Sequence, residues 1–339
     1  MMTTMRAVLF TMMQLVVPAA IGFFYGRREG DGGAFVRSIS RFVASVTLPL
    51  YFFIRVSRVD LSELLGAGIF PVAAVLHVAL GIAASWIMTR TTWRDLDRGV
   101  QRVRIASGGF GNAGYLPLSI HELLPAALPM FGELLGGPLP FLYIGAYVFF
   151  LSPLLWSIGN WLVQGGEGRF EARHLISTPV IGIFAGLVAS ATGLGELAET
   201  PTSLWYYIAL ALERVAEVTV PAVLVTLGGL IAGITHSSDN RRALAAVGTT
   251  AAVVRLLALP AAFWATMLAT DGLGGAPIPI LWVLFLEFHT PTASNLSVMA
   301  GRGGRNHDEV AITMITAYGA YILLFPIYMT LFLMWIGAR

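Results

Sequence analysis

The chain has no cysteine and no lysine, and only 12% of its 339 residues are charged. Without cysteine there are no disulfides, no thiolate chemistry and no Cys-ligated metals. Without lysine, all 21 basic residues are arginine, which reads as a lineage bias. Soluble domains carry about 25% charged residues. Half that leaves too little polar surface to clothe a water-soluble globule, so no soluble domain is expected. Catalytic patterns are missing too. There is no His-Glu-x-x-His metal motif and no Ser/His pair in a nucleophile's context, so neither an enzyme nor a metal or other cofactor is expected. A sequence pI near 9 does not argue for nucleic acid, because the arginines sit in short loops.

What is present is apolar sequence. Hydrophobic residues make up 56% of the chain and the mean hydropathy is +0.75. Ten runs lie near the ~20 residues that span a bilayer's hydrocarbon core. They are Arg6–Gly26, Phe35–Val56, Ile69–Thr89, Val103–Leu124, Leu139–Val163, Leu175–Thr192, Leu204–Ile231, Ala243–Leu268, Ile278–Ala300 and Val310–Ile336. The runs are continuous, whereas barrel strands alternate over ~10 residues. The expected class is an all-α membrane protein of ten transmembrane helices, multi-pass in an inner membrane. One Arg precedes the first run and no small-residue cleavage pattern follows it, so that run reads as a span and not a signal.

The arginines alternate by side. Arg27 and Arg28 lie between spans 1 and 2; Arg90, Arg94, Arg98, Arg102 and Arg104 between or beside spans 3 and 4. Arg169 and Arg173 follow span 5, Arg241 and Arg242 follow span 7, and Arg302 and Arg305 follow span 9. Loops 4–5, 6–7 and 8–9 hold none, and loop 2–3 holds Arg58 with Arg55 at its edge. Cytoplasmic loops carry the excess of basic residues. The odd loops are therefore cytoplasmic, and both termini lie outside the cytoplasm. Trp86, Trp93, Trp156, Trp161 and Trp335 read as interfacial anchors.

The prolines repeat. Pro49 in span 2 and Pro221 in span 7 are 172 residues apart; Pro117 and Pro291 are 174 apart; Pro153 and Pro326 are 173 apart. Spans 1 and 6 share Pro18, Gly22, Gly26 against Pro179, Gly182, Gly186. Two five-helix halves, 1–165 and 174–339, explain this spacing. Five is odd, so the second half enters the membrane inverted, a common transporter plan. The Gly-x3-Gly spacing allows close helix contact, either internal or in a homodimer.

Spans 4 and 9 are poor helices. Gly108, Gly109, Gly111, Asn112, Gly114 and Pro117 crowd the middle of span 4; Glu287, His289, Thr290, Pro291, Thr292, Ser294 and Asn295 crowd span 9. In a helix interior Gly costs about 1 kcal/mol and Pro about 3. Unwound backbone survives at membrane depth only where protein or a water-filled cavity covers it. Both breaks should face inward and meet. Half-helices starting near Pro117 and Pro291 would each present free N–H groups and a partial positive charge. Two such ends make an anion site, with Asn112, Gly114, Tyr115, Pro117, Pro291, Thr292 and Asn295 around the guest.

The Gly111-Asn112-Ala113-Gly114-Tyr115-Leu116-Pro117-Leu118 stretch resembles the span 4 motif of the auxin efflux carrier family, which includes plant PIN and PIN-like carriers and bacterial malonate and malate permeases. Pro291 through Asn295 resembles that family's second broken segment. Thr47-Leu48-Pro49, Val220-Pro221 with Gly228-Gly229, and Arg255 through Pro260 lie where similar segments occur. The resemblance implies crossing helices 4 and 9 in a fold like that of bile-acid sodium symporters. It also implies a scaffold domain from helices 1, 2, 6 and 7, with Pro49 and Pro221 as hinge or lining residues. A transport domain from helices 3–5 and 8–10, elevator-like movement and a small carboxylate substrate, auxin-like or a dicarboxylate, are implied with it. Loop 5–6, about ten residues long, fits a compact bacterial member. Expected partners are this substrate and membrane lipid, with no nucleic acid.

Charged residues within spans are costly and often functional. Glu287 and His289 either carry a coupling proton or form a pair that steadies the break. Arg255 either neutralises a substrate carboxylate or pairs with Glu287. Arg214 stands three residues before Glu217, a spacing that allows the two to pair, with interface or water-exposed packing the favoured reading, and His77 reads as a satisfied polar residue. A sodium- or proton-coupled symporter or antiporter on the same fold is the alternative; span 4 is read as carrying no acid, which counts against a cation site there.

Overall fold

The computed structural model describes residues 2–28, 33–60, 62, 64–127, 137–164, 178–232, 241–303 and 306–337. Arg169, Arg173 and Arg305, and the expected boundary between halves at 165–174, lie outside the described residues. The helices of nine residues or more are α1 (Met2–Arg28), α2 (Gly33–Phe42), α3 (Leu48–Ser57), α4 (Ile69–Thr92), α5 (Arg98–Gly109), α6 (Tyr115–Ala127), α7 (Leu139–Leu154), α8 (Thr178–Ala191), α9 (Leu204–Ala216), α10 (Thr219–Ala232), α11 (Arg241–Val253), α12 (Leu259–Ala269), α13 (Ile278–Phe288), α14 (Asn295–Gly303) and α15 (His307–Gly337). Among the described residues seven helical stretches are long and apolar enough to cross a membrane, some of them joined across a turn or a π-helical segment, and Thr178–Ala191 and Ile278–Phe288 are shorter apolar helices. The chain is thus an all-helical, multi-pass membrane protein.

Prolines shape the helices locally. A π-helical turn, Val43–Thr47, joins α2 to α3 just before Pro49, and another, Val254–Ala258, joins α11 to α12 just before Pro260. Proline lacks an N–H, so the carbonyl four residues back loses its helical partner. Leu256 is that residue for Pro260, and its carbonyl accepts a bond from the Tyr328 hydroxyl at 2.7 Å. The Ala44 carbonyl in the other π turn accepts from the Thr178 hydroxyl. Backbone that the bilayer cannot hydrate is thereby satisfied. The span expected over Leu204–Ile231 is present as Leu204–Ala232, with Glu217 and Val218 forming a turn between α9 and α10 ahead of Pro221. The Val218 amide turns back to the Val215 carbonyl at 3.3 Å, a tighter turn than the α-helix makes.

Glycines set how the helices pack. α1 lies along α10, and α8 lies along α3. A Cβ on Gly22 would strike the Val225 backbone, and one on Gly182 the Pro49 backbone. The Gly-x3-Gly pairs therefore serve contacts inside the chain. Close backbone approach of this kind is how helices associate without a hydrophobic drive. Gly182→Val should lower the thermal midpoint of the detergent-solubilised protein, at a cost of about 3 kcal/mol. Gly319→Ala, with nothing within 4 Å of the added carbon, should leave it unchanged.

Around this frame α4 packs on α5 and α7, α11 packs on α15 and α5, and α13 packs on α7. The core these helices enclose holds the two broken segments. Arg104, expected at a loop edge, is instead fully buried, with Nε 2.8 Å from the Thr250 hydroxyl. Trp86 and Trp161 keep large exposed surfaces, as suits the interface. Arg214 does approach Glu217, at 3.5 Å.

Candidate substrate site at the two helix breaks

Helix α5 ends at Gly109 and α6 begins at Tyr115; α13 ends at Phe288 and α14 begins at Asn295. The extended residues between them run antiparallel and pair through Gly111 and Thr292. The Asn112 amide donates to the Pro291 carbonyl at 2.9 Å, and the Ala293 amide donates to the Phe110 carbonyl at 2.9 Å. Each break thus satisfies the other's backbone. Thr292 adds a third link, its hydroxyl donating to the Ser107 carbonyl at 2.9 Å. The first helix start lies near Pro117, as expected, and the second is displaced from Pro291. Pro117 is the third residue of α6, where no amide partner is needed. Pro291 stays in the extended segment, where its carbonyl is the acceptor, and α14 starts four residues later.

Two helix N-termini open from this point. Asn112 lies three residues before α6, and its amide nitrogen donates to the Tyr318 hydroxyl at 2.6 Å. Ser294, one residue before α14, bonds to the same phenol. Tyr318 of α15 therefore ties both starts together. Asn112, Pro117, Pro291 and Thr292 are buried; Gly114, Tyr115 and Asn295 are partly open. Pro49 lies against Gly182, and Pro221 is exposed; both sit on helices other than those that break.

A fully buried guanidinium backs the crossing. Arg255 Nε donates to the Thr290 carbonyl at 3.0 Å, and Nη2 donates to the Thr290 hydroxyl at 2.6 Å. Nη1 lies 2.9 Å from His77 Nε2, and His77 Nδ1 meets the Tyr147 hydroxyl. The ring of His77 stacks on Phe288 with centroids 4.3 Å apart. A Cβ on Gly111 would collide with this guanidinium and with Thr290. Only glycine lets the positive charge press against unwound backbone here.

The expected pairings of the charged residues are corrected. No ion pair joins Arg255 to Glu287, although each is within electrostatic reach of the other. Arginine's planar fork is taken up by Thr290 and His77. Glu287 does not pair with His289 either: His289 Nδ1 contacts the Phe285 carbonyl at 2.7 Å, and both carboxyl oxygens of Glu287 are buried without a hydrogen-bond partner. The reading of His77 as a satisfied polar residue agrees with its two contacts, which also make it part of the site. Span 4 does hold an acid, Glu122, seven residues into α6 from its start. It binds Arg55 at 2.8 Å. The signal for it was plain in the sequence, an acid inside an apolar run. Tyr147 and Tyr318 gave no such signal, because tyrosines are common near span ends.

Chemically the arrangement is a neutral amide, two helix N-termini and a guanidinium without a carboxylate partner, gathered on backbone that is already hydrogen-bonded. Among the described residues no cluster of metal-ligating side chains is present. Such a centre favours a negative guest.

Residues 7–150 match a family described as membrane transport protein. Over 165 residues, 48% of this chain, the sequence is 29% identical to Protein PIN-LIKES 7 of Arabidopsis thaliana. The matched part spans 41% of that relative. Both findings uphold the resemblance carried by the span 4 motif, and the family match includes that motif.

Proposed function

We infer that this chain, whose residues 7–150 match the membrane transport protein family, is a secondary transporter of a small organic anion, bound where the two breaks meet. The observation that carries this reading is the paired unwound backbone at Gly111 and Thr292, with two helix starts and Arg255 converging on it. Helix N-termini favour anions. A buried arginine cannot shed its proton, and a carboxylate guest offsets its charge. The substrate class is a carboxylate, auxin-like or a dicarboxylate, and the membrane is the inner one with both termini outside the cytoplasm.

Ten spans in two inverted halves, 1–165 and 174–339, organise the carrier. Two sets of contacts support this: span 1 on span 7 mirrors span 6 on span 2, and span 3 on span 5 mirrors span 8 on span 10. Helices 1, 2, 6 and 7 form the scaffold and helices 3–5 and 8–10 the transport domain, which moves elevator-fashion with the guest. Proton coupling is the second reading. Glu287 favours it, since a buried carboxyl with both oxygens unpaired is placed to gain or lose a proton as the guest arrives.

The test is uptake of radiolabelled malonate, malate and indole-3-acetate into liposomes, with and without proton and sodium gradients. Cation exchange by well-folded protein without anion uptake would overturn the reading. Asn112→Ala should abolish uptake, because it removes the side chain that joins the α6 start to Tyr318. The backbone pairing to Pro291 uses the main chain alone, so the variant should still fold, as judged by monodisperse gel filtration.

A further inference from the structure

Away from the crossing, α3 carries Tyr51 and Arg55 one turn apart, Arg58 follows just past its end, and α6 brings Glu122 to them. Arg55 Nη2 donates to Glu122 Oε1 at 2.8 Å, and the Tyr51 hydroxyl donates to Glu122 Oε2. The Arg55 guanidinium carbon lies 5.5 Å from the Tyr51 ring centroid and 5.0 Å from that of Phe141. One carboxylate is thus held at both oxygens, by a guanidinium and a phenol, against two aromatic rings. That is a complete receptor for a carboxylate. Its occupant happens to be a side chain of the same protein.

Two features show that the occupant can be exchanged. Arg55 and Glu122 are 24% and 30% exposed, so the pair lies at the edge of the packing while Tyr51 is buried behind it. Ion pairs this open are weakly held. The charges nearby also favour refilling. Arg58 grips Glu213 at both oxygens, each at 2.9 Å, while Arg55 Nη1 stands 3.9 Å from Glu213. Exposed Glu199 acts on Arg58. With Glu122 gone, Arg58 keeps both its bonds to Glu213, and Arg55 is left with only its 3.9 Å approach to that carboxylate.

We propose that Tyr51 and Arg55 form a second carboxylate-binding site, which Glu122 fills in this conformation and a small mono- or dicarboxylate fills when α6 draws away. This rests on the assignment above of α3 to the scaffold and α6 to the transport domain. Positive-inside topology puts the site at the outer mouth of the carrier. An anion that docks there displaces Glu122 and frees the moving helix. The site therefore links the guest's arrival to release of the domain that carries it.

Radiolabelled malonate binding to the purified full-length protein in detergent tests this without any transport step. Glu122→Ala removes the tethered competitor, whose local concentration is in the millimolar range. It should add a malonate site about tenfold tighter than anything the unaltered protein shows outside the crossing. Adding Arg55→Gln should erase that gain. Should Glu122→Ala fold poorly, Glu122→Gln keeps the shape without the charge and should show a smaller gain with the same dependence on Arg55. No gain in either variant, or a gain that survives Arg55→Gln, would overturn the site and leave the pair as a brace. Repeating the assay with Asn112→Ala separates the two sites. Extra binding that persists there supports the outer site even if liposome uptake fails and the transport reading falls.

Discussion

Arg255→Met is expected to cut anion uptake about 100-fold while moving the melting temperature little. The first half follows from what the guanidinium touches. It makes three polar contacts, two to Thr290 and one to His77, and presses on Gly111 where the broken segments pair. A charge-assisted bond is worth about 3 kcal/mol at most, and that energy corresponds to about 100-fold in rate. The second half is a balance of opposing terms. Methionine leaves the Thr290 carbonyl and one His77 nitrogen short of a partner, at about 1–3 kcal/mol each. It also removes a cation that lies deep in the protein without an ion pair, and such burial costs several kcal/mol. The two are of similar size. Arg255→Lys keeps the charge but not the planar fork, so it should retain part of the uptake. Uptake by Arg255→Met at the unaltered rate would show that positive charge behind the crossing is irrelevant to the guest.

The sequence reveals this region only in part, and the division has a physical basis. Helix breaks are local events. Gly108 through Pro117, and His289 through Asn295, are poor helix formers wherever they are placed, so their composition alone marks the unwinding. Their meeting was also arguable, because unpaired backbone in a membrane must find a partner. The side-chain network is not local. Arg255 and His77 are 178 residues apart, and Asn112 and Tyr318 are 206 apart. Nothing in the neighbourhood of either residue announces the other. A pairing of Arg255 with Glu287 was the natural guess from opposite charge, yet geometry gave the fork to a threonine and a histidine. Glu122 was legible and overlooked, since its apolar setting was read as an ordinary span. Pro49 and Pro221 both lie near irregular turns, neither of which was read from the sequence. The first is a π turn and the second an interruption at Glu217.

Gly111 and Gly114 offer the sharpest contrast within one motif. Gly111→Ala places a carbon where the Arg255 guanidinium and the Thr290 hydroxyl already sit. Neither can yield easily, because Arg255 is fully buried and Thr290 is bonded both to it and to the Glu287 carbonyl, the latter at 2.9 Å. Overpacking of this sort costs about 1–3 kcal/mol. It also pushes apart the strands joined by Asn112 to Pro291 and Ala293 to Phe110. Uptake should fall more than about tenfold, with a lower melting temperature. At Gly114 the added carbon meets only the Val148 side chain, at 3.8 Å. Gly114→Ala should therefore melt like the unaltered protein. Any uptake it loses must come from the guest, since no protein neighbour is disturbed. Equal melting temperatures for the two variants would mean that Arg255 does not lie against the crossing. A Gly114→Ala protein with undiminished uptake would place the guest elsewhere along the paired segments, on the side of Asn295.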